Sequence, residues 1–471
     1  MNLKQRTSAL ACILLAGCGG GAGNGGAGSN GAPSANPLVA SGYPAAAASC
    51  DSAGQRAWLR DYMNDQYFWY SQQGSPDAEA STLPQYFASL LFAPLDRYSF
   101  TQTSADFAQF FGQGQAVGYG YALAWADTAQ TVFKVRLVEP QSPIGQAGLR
   151  RGDTIVTIDG YTPEQIVSGL PPRVNVAGIA RQFEVIDATG HRKSFNVNSA
   201  AYSLSPVLDA RVLAAPNGAR VGYLAYQEFI TSGADAVGAA FDRFAAAGVS
   251  ELVLDLRYNG GGSTTQARNL ASLAAGTRLD GKVFADFRFS AKNADRNFTQ
   301  TFSAYFASRG SEQTSTPLES LSRVFVITSG ATASASELLI NGLRAFMPVI
   351  TIGSTTFGKP YGFLPREACG VTYNAVNFVT ANALGFSDYS AGLVPTCAAA
   401  DDLARQLGDP AEGRTAAALN FIATGSCPVA VQTNRAKPSE APDGSSPIDS
   451  ARRRRNELGF GEISLPQTRL D

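Results

Sequence analysis

Residues 205–430 alternate short apolar runs with amphipathic stretches, a pattern typical of strands that alternate with helices. The apolar runs predict strands at residues 221–225, 251–256, 324–328 and 349–352. The amphipathic stretches predict helices over residues 234–247, from residue 264 onward, and over residues 336–346. Because connections of this length favour parallel pairing with right-handed crossovers, we predict an α/β core with parallel strands over residues 205–430.

The pattern is different in the two segments that precede this core. Residues 51–111 carry aromatic and apolar residues at near-helical spacing, as at Trp58 and Tyr62, which predicts a small N-terminal helical domain. Residues 112–204 instead alternate apolar and polar positions, as in residues 132–137, and predict a β-rich domain.

The two ends of the chain indicate where in the cell the protein is located. Residues 1–17 have a positively charged start and an apolar run too short to span a bilayer, which is typical of an export signal. The run leads to Cys18 through Leu-Ala-Gly, which resembles the lipobox of bacterial lipoproteins and implies lipidation of Cys18. An ordinary signal peptide with an incidental cysteine is the alternative. Residues 18–50 then form a Gly-rich tether and residues 431–471 a disordered tail. We expect an exported protein of the bacterial cell envelope that faces the periplasm, anchored by lipid to the outer membrane.

Composition narrows the possible functions. Charged residues make up 16% of the chain and the net charge is −1, or −3 without Lys4 and Arg6 of the export signal. This balance argues against a nucleic-acid partner, which requires a basic face. His191 is the one histidine in the sequence, so zinc sites built on several histidines are excluded. We expect no metal and no other cofactor.

Four cysteines lie beyond residue 18. An even number in an exported chain predicts two disulfides, for which three pairings are possible. We predict Cys369–Cys397, which closes a local loop, and Cys50–Cys427, which joins the first folded segment to the last.

Three loops that follow the predicted core strands contain residues suited to catalysis. They are Arg257-Tyr258-Asn259-Gly260-Gly261-Gly262, residues 329–337 with three serines, and residues 353–359 with a lysine. In a parallel sheet these loops leave from the same edge, where α/β proteins place their sites. Glycines expose N–H donors for an oxyanion, a serine at a helix start feels the positive end of the helix dipole, and a lysine can act as its base. The lysine pKa, ordinarily about 10.4, must then fall by about 3 units, or roughly 4 kcal/mol, which requires an apolar pocket.

A second motif lies in residues 112–204. Ala147-Gly148-Leu149, then Gly152-Asp153 and a strand that ends in Asp159-Gly160, resemble the core of a PDZ domain. Upstream, Val117-Gly118-Tyr119-Gly120-Tyr121 is similar to the loop that binds a peptide's terminal carboxylate in such domains. The resemblance implies that Gly118, Tyr119, Gly120 and Tyr121 bind the peptide, with backbone N–H groups on its carboxylate and the following strand paired along it. A lone Gly-x-Gly, by contrast, is usually a tight turn.

Taken with these motifs, residues 51–425 resemble the C-terminal processing peptidases, or tail-specific proteases. In that family a PDZ domain precedes an α/β core with a Ser–Lys dyad. The resemblance implies that Ser334 is the nucleophile, that Lys359, 25 positions later, is the base, and that the N–H groups of Gly261 and Ala335 form the oxyanion hole. It implies a serine endopeptidase that binds protein or peptide substrates by their C-termini and cleaves upstream of them through an acyl-enzyme.

Two alternatives stay open. Many members of the family have a glutamine four residues after the lysine, and here that position is Phe363. Either another group orients Lys359 or the dyad acts unaided, and the departure leaves room for a non-catalytic peptide-binding protein with the same fold. Ser336 is the alternative nucleophile, with Ser334 as a helix cap, but the 25-residue spacing favours Ser334.

Overall fold

The computed structural model describes residue 47 and residues 49–127, 130–172, 174–303 and 315–428. The helices within these ranges are α1 (Ser52–Gln66), α2 (Leu83–Ser89), α3 (Ser104–Phe107), α4 (Pro143–Ala147), α5 (Pro163–Val167), α6 (Ala234–Ala246), α7 (Thr264–Ala275), α8 (Ala335–Arg344) and α9 (Gly413–Thr424). The strands are β1 (Phe100–Thr103), β2 (Gln115–Gly118), β3 (Tyr121–Trp125), β4 (Phe133–Val138), β5 (Thr154–Ile158), β6 (Ala180–Ile186), β7 (Arg192–Asn198), β8 (Ala200–Ser203), β9 (Val207–Ala214), β10 (Arg220–Tyr226), β11 (Glu251–Asp255), β12 (Val283–Phe289), β13 (Phe298–Thr301), β14 (Val324–Thr328), β15 (Val349–Gly353), β16 (Tyr361–Phe363), β17 (Arg366–Ala368), β18 (Val371–Asn374), β19 (Val376–Ala381) and β20 (Cys397–Ala398).

The core sheet has six strands in the order β20-β15-β14-β11-β10-β9. From β20 to β10 the neighbouring strands are parallel, which confirms the predicted α/β core with parallel strands for this part of the sheet. β9 joins β10 antiparallel and makes the sheet mixed. The reason is local, because a tight turn at residues 215–219 connects β9 to β10 and leaves no room for a crossover.

The inner strands are buried on both faces. Every residue of β14 and β15 is buried, as continuous apolar runs of parallel strands require. On one face Ala418 and Ile422 of α9 belong to the same apolar cluster as Val253 and Phe325 of the sheet. α8 contacts β15 and α7, and it leads away from the edge of the sheet at which β14 ends.

The segment near β1 lies beside strands that come much later in the chain. β1 pairs antiparallel with β18, and Phe100 stands opposite Asn374. Nearby, the Phe68 N–H donates to the Val376 carbonyl at 2.8 Å. The predicted N-terminal helical segment therefore lies against the part of the core that follows β15.

A second sheet contains the residues that resemble a PDZ domain. Its five strands run in the order β3-β4-β5-β6-β7, all antiparallel, and β3 lies at one edge. Tyr119, Tyr121 and Phe183 are part of its apolar core. An edge strand offers unpaired backbone groups to a further strand.

Both predicted disulfide pairings are wrong. Among the described residues Cys50 bonds to Cys369 and Cys397 bonds to Cys427, with Cα–Cα distances of 5.6 and 5.5 Å. Cys369 lies in the turn between β17 and β18, and α1, which follows Cys50, packs its Trp58 ring against Tyr373 of β18. Cys397 is the first residue of β20, which pairs with β15. α9 packs on the same sheet and ends just before Cys427, which places Cys427 near Cys397.

The predicted features at the two ends of the chain lie outside the described residues. The structure does not describe the export signal of residues 1–17, Cys18 or the tail of residues 431–471. Of the tether of residues 18–50 it describes only residues 47, 49 and 50. Within the described ranges, no helix is long and apolar enough to cross a membrane.

Candidate active site

Ser334 lies between β14 and α8, as the N-cap residue of α8. Its backbone has φ +56° and ψ −115°, a conformation that residues other than glycine rarely adopt. Such strain persists only where the surroundings hold it, and it concentrates at functional sites. The side chain is half-buried and stands at the N-terminal end of the helix, where the dipole favours developing negative charge.

The carboxylate of Glu337 binds the loops of both predicted dyad residues. Its Oε2 accepts hydrogen bonds from the Ser334 N–H at 3.0 Å and from the Lys359 N–H at 2.8 Å. Its Oε1 accepts from the Thr356 hydroxyl at 2.5 Å and from the Gly358 N–H at 2.7 Å. Because one oxygen binds both N–H groups, the backbone nitrogens of Ser334 and Lys359 are at most about 6 Å apart.

Glu337 is fully buried, and its protonation state depends on this burial and on the four hydrogen bonds. Burial raises the pKa of Glu337, and the hydrogen bonds from Thr356, Lys359, Gly358 and Ser334 offset part of that rise because they stabilise the carboxylate. Sequence reasoning missed this residue. A signal was present, since Ser-x-x-Glu at a helix start is a capping box, in which the glutamate accepts from the N-cap backbone.

The ammonium of Lys359 lies over the ring of Phe363, 4.2 Å from its centroid. The lysine is half-buried in a loop that connects β15 to β16. The position at which many family members have a glutamine is thus occupied by an aromatic face that contacts the same ammonium. A cation over a ring is attracted by the ring's negative face.

The glycine loop lies directly against Ser334. At Gly261 φ is +111°, and a Cβ there would lie 2.7 Å from the Ser334 Cβ and 3.0 Å from the Ala335 nitrogen, so only glycine fits. The Ala335 N–H is in the first turn of α8, where N–H groups lack a partner within the helix. The Gly261 N–H donates to the Asn259 Oδ1 at 2.9 Å. The structure therefore brings both predicted oxyanion residues to the serine, with one of the two N–H groups engaged by Asn259.

Ser336 is fully buried, and its hydroxyl and its N–H both bind backbone carbonyls. Its hydroxyl donates to the Asn259 carbonyl at 3.1 Å, and its N–H donates to the Ala333 carbonyl at 3.1 Å. The contacts show a local role in which Ser336 connects α8 to the glycine loop.

A buried ionic network anchors the start of the glycine loop. The Arg257 guanidinium, 1% exposed, donates to Asp401 at 2.9 Å and to Glu412 at 2.7 Å. Arg151, from the β3–β7 sheet region, donates to the Tyr258 hydroxyl at 2.6 Å. Burial would raise the pKa of Glu412, but the hydrogen bonds from Arg257 outweigh it and lower the pKa to about 2. The network therefore stays charged at neutral pH.

The residues predicted to bind a peptide lie before and at the start of β3. The side chains of Tyr119 and Tyr121 are buried and make edge-to-face contacts with Phe183, at 5.6 and 5.3 Å between ring centroids. Gly118 and Gly120 are buried as well, so the whole loop is packed inside the domain. Gly118 and Gly120 both have positive φ, +145° and +86°, as a turning glycine loop requires.

His191 lies in an exposed turn between β6 and β7. Its Nδ1 is 2.8 Å from the Thr189 hydroxyl, and its N–H donates to Asp187 at 3.0 Å. This turn belongs to the β3–β7 sheet, in a different sheet from β14, which leads to Ser334.

The site thus combines a mixed α/β core, a serine at the start of a helix and a lysine on a neighbouring loop. The model of the peptidase S41 N-terminal domain matches residues 54–100, and the model of peptidase family S41 matches residues 220–368. These two stretches of the chain are therefore similar to the S41 peptidases.

Similar proteins carry names of the same kind. The chain is 28% identical over 263 residues to the chloroplastic C-terminal processing peptidase of Tetradesmus obliquus, across 52% of each chain. It is 28% identical over 231 residues to a carboxyl-terminal-processing protease of a Picosynechococcus species, across 48% of this chain and 51% of that one. The chain thus spans about half the length of the curated relatives it matches. A crystal structure of a putative S41 protease from Bacteroides fragilis superposes with a TM-score of 0.62 and 26% identity, covering 78% of this chain and 97% of that one.

Proposed function

We propose that the protein is a serine endopeptidase that cleaves exported proteins near their C-termini. The observation that carries the proposal is the Glu337 carboxylate, whose Oε2 accepts from the N–H groups of both Ser334 and Lys359. This arrangement holds the backbone nitrogens of the two residues within about 6 Å of each other, which supports a role for Ser334 as nucleophile and for Lys359 as general base.

In the proposed reaction the Ser334 Oγ attacks the scissile carbonyl carbon while the neutral amine of Lys359 takes the hydroxyl proton. The C–N bond breaks, the proton passes from Lys359 to the leaving amine, and an acyl-enzyme forms on Ser334. Water then attacks the ester, again with Lys359 as base, and releases the new C-terminus. The N–H groups of Ala335 and Gly261 would bind the oxyanion, and the Gly261 N–H would exchange its Asn259 partner for it.

Capture of the substrate's C-terminus is assigned to the residues that resemble a PDZ domain. The backbone N–H groups of the loop from Gly118 to Tyr121 would bind the terminal carboxylate, and β3 would pair with the peptide. The edge position of β3 supports this role, because its outer side has no neighbour in that sheet.

Export to the periplasmic side of the outer membrane, with a lipid at Cys18, completes the proposal. Its support in the described residues is the pair of disulfides, Cys50–Cys369 and Cys397–Cys427, since disulfides persist in oxidising compartments.

The test is labelling with a serine-directed fluorophosphonate followed by peptide mapping, on the wild type and three variants. We expect the label on Ser334 in the wild type and in Ser336→Ala, and none in Ser334→Ala. Lys359→Arg should fold but lack turnover, because arginine keeps the charge and does not lose its proton. A label on Ser336, or full turnover by folded Lys359→Arg, would overturn the assignment, and an unlabelled, inactive wild type would favour a peptide-binding protein.

A further inference from the structure

Arg97, just before β1, holds the loop that carries Lys359. Its Nη2 lies within hydrogen-bonding distance of three carbonyl oxygens, those of Phe357 at 2.9 Å, Gly358 at 3.2 Å and Ser390 at 2.8 Å. Its guanidinium also lies over the Phe357 ring, 4.7 Å from the centroid. One side chain from the N-terminal region therefore binds two consecutive peptide groups that lead into Lys359.

Tyr98 adds a second contact to the same loop. Its hydroxyl donates to the Gly358 carbonyl at 2.8 Å, and its ring packs against Tyr361 at 5.3 Å between centroids. Burial raises the pKa of Tyr98, so the hydroxyl keeps its proton and remains a donor at neutral and moderately alkaline pH.

The segment that makes these contacts is itself fixed. The buried carboxylate of Asp96 accepts from the Tyr67 hydroxyl at 2.7 Å, from the N–H groups of Tyr98 and Ser99 at 2.9 Å each, and from the Ser99 hydroxyl at 2.6 Å. Directly after Ser99, β1 begins at Phe100. Arg97 and Tyr98 thus project from a turn with little freedom of its own.

Phe100 contacts the aromatic ring over which the Lys359 ammonium lies. Its ring meets Phe363 edge-on at 5.5 Å between centroids, and Phe363 is the ring over which the Lys359 Nζ lies at 4.2 Å. Residues 97–100 therefore contact both the backbone that carries Lys359 and the aromatic ring that its side chain contacts.

We propose that residues 97–100 position Lys359 for catalysis, in the place of the glutamine that follows the lysine in many relatives. The inference rests on the proposed function. Glu337 binds the N–H groups of Gly358 and Lys359 from the side of α8, and Arg97 and Tyr98 bind the carbonyls of Phe357 and Gly358 from the opposite region of the chain. The loop is held at both its donors and its acceptors.

General-base catalysis requires that the loop carrying Lys359 be held in place. A general base must stay within hydrogen-bond reach of the hydroxyl, and a displacement of about 1 Å can cost about a hundredfold in rate. Gly358 has φ +84°, and a Cβ there would lie 2.3 Å from the Ser390 carbonyl oxygen, so this turn cannot be stiffened by a larger residue. External contacts have to hold it.

The experiment compares Arg97→Met and Tyr98→Phe with Arg296→Met as a matched control. Arg296 also lies over an aromatic ring, that of Phe289 at 4.9 Å, and also binds the N-terminal region, at Gln66, but it does not contact the lysine loop. For each protein kcat, KM, the rate of fluorophosphonate labelling and the melting temperature are measured. Tyr98→Phe removes one oxygen atom and serves where Arg97→Met fails to fold.

We expect kcat and the labelling rate to fall about tenfold or more in Arg97→Met and Tyr98→Phe, with KM changed less than about twofold. Arg97→Lys, which retains the charge and one donor group, should recover part of kcat. Arg296→Met should keep the wild-type kcat even where its melting temperature falls as far. A purely structural role would lower the folded fraction and leave kcat per folded molecule unchanged.

The two proposals fail in different ways. If the wild type is labelled on Ser334 and folded Arg97→Met and Tyr98→Phe keep the wild-type kcat, the positioning role is wrong and the proposed function stands. If Arg296→Met loses as much kcat as Arg97→Met, the positioning role is also wrong. If the wild type carries no label on Ser334, or Lys359→Arg turns over, both proposals are overturned.

Discussion

Glu337→Gln is the substitution with the sharpest expected effect. The carboxylate accepts four hydrogen bonds, two on each oxygen, from Ser334, Thr356, Gly358 and Lys359. An amide of nearly the same shape replaces one of these oxygens with an NH₂ group, which cannot accept. Whichever way the amide turns, one pair of donors loses its acceptor, and each pair includes at least one backbone N–H of the two loops.

The magnitude follows from the number of bonds lost. A hydrogen bond to a charged group contributes about 1.5–3 kcal/mol, so the loss of two costs about 3–6 kcal/mol of unfolding free energy. This is a large part of the 5–15 kcal/mol or so by which a typical domain is stable. Because either pair of freed donors belongs to the loops that carry Ser334 and Lys359, we expect kcat to fall by about a hundredfold or more in the protein that remains folded.

The assay pairs urea unfolding with kcat measured per folded molecule. Phe244→Ala is the matched control, since Phe244 is fully buried in α6 and its truncation costs about 3–5 kcal/mol without touching the two loops. We expect the control to lose stability and keep kcat. A folded Glu337→Gln with kcat within about threefold of the wild type would refute the reasoning, as would an equal loss of kcat in Phe244→Ala.

Three further predictions concern stability, capture and location. Burial raises the pKa of Glu139 to about 8, so the folded state holds this proton more tightly than the unfolded chain, and the stability it contributes at acidic pH is lost as pH rises through about 8. Because the ordinary pKa of this group is 4.5, Glu139→Gln should flatten the fall in unfolding free energy between about pH 4 and 8 by up to about 5 kcal/mol, and parallel curves for the two proteins would contradict this. Amidation of a peptide substrate's C-terminus removes the charge that the loop of Gly118 and Gly120 would bind, so kcat/KM should fall, chiefly through KM, and equal values for acid and amide would count against capture there. Cys18→Ala should move the protein from membranes to the soluble fraction after expression in a bacterium, and unchanged fractionation would show that the lipobox interpretation is wrong.

Much of the core could be read from local pattern. The runs at β11, β14 and β15 are apolar at nearly every position because both of their faces are covered, and a helix of suitable length connects β14 to β15. Parallel pairing then places the loops after β11, β14 and β15 at one edge of the sheet, which is where the structure has Gly261, Ser334 and Lys359. The addition of β9 was missed because a strand that joins antiparallel at an edge has no such signature.

The disulfides illustrate what sequence spacing cannot decide. Cys50 and Cys369 are 319 residues apart, and their meeting depends on the pairing of β1 with β18. Nothing in the local sequence of either strand specifies that partner, because many strands of similar polarity compete for it. The two pairings that looked simplest along the chain were therefore wrong.

The sequence by itself determined the elements and the residue types of the candidate site, since each depends on a few neighbouring positions: Ser334 at a helix start, glycines after a buried strand, and Lys359 in an apolar loop. Only the tertiary structure decided what holds them. Glu337 binds both loops because α8 packs against the core, and Arg97 reaches carbonyls about 260 positions away because the N-terminal segment pairs with β18. Such contacts arise when faces that are remote in the chain pack together. The sequence around a side chain carries no pattern that indicates a partner so far away.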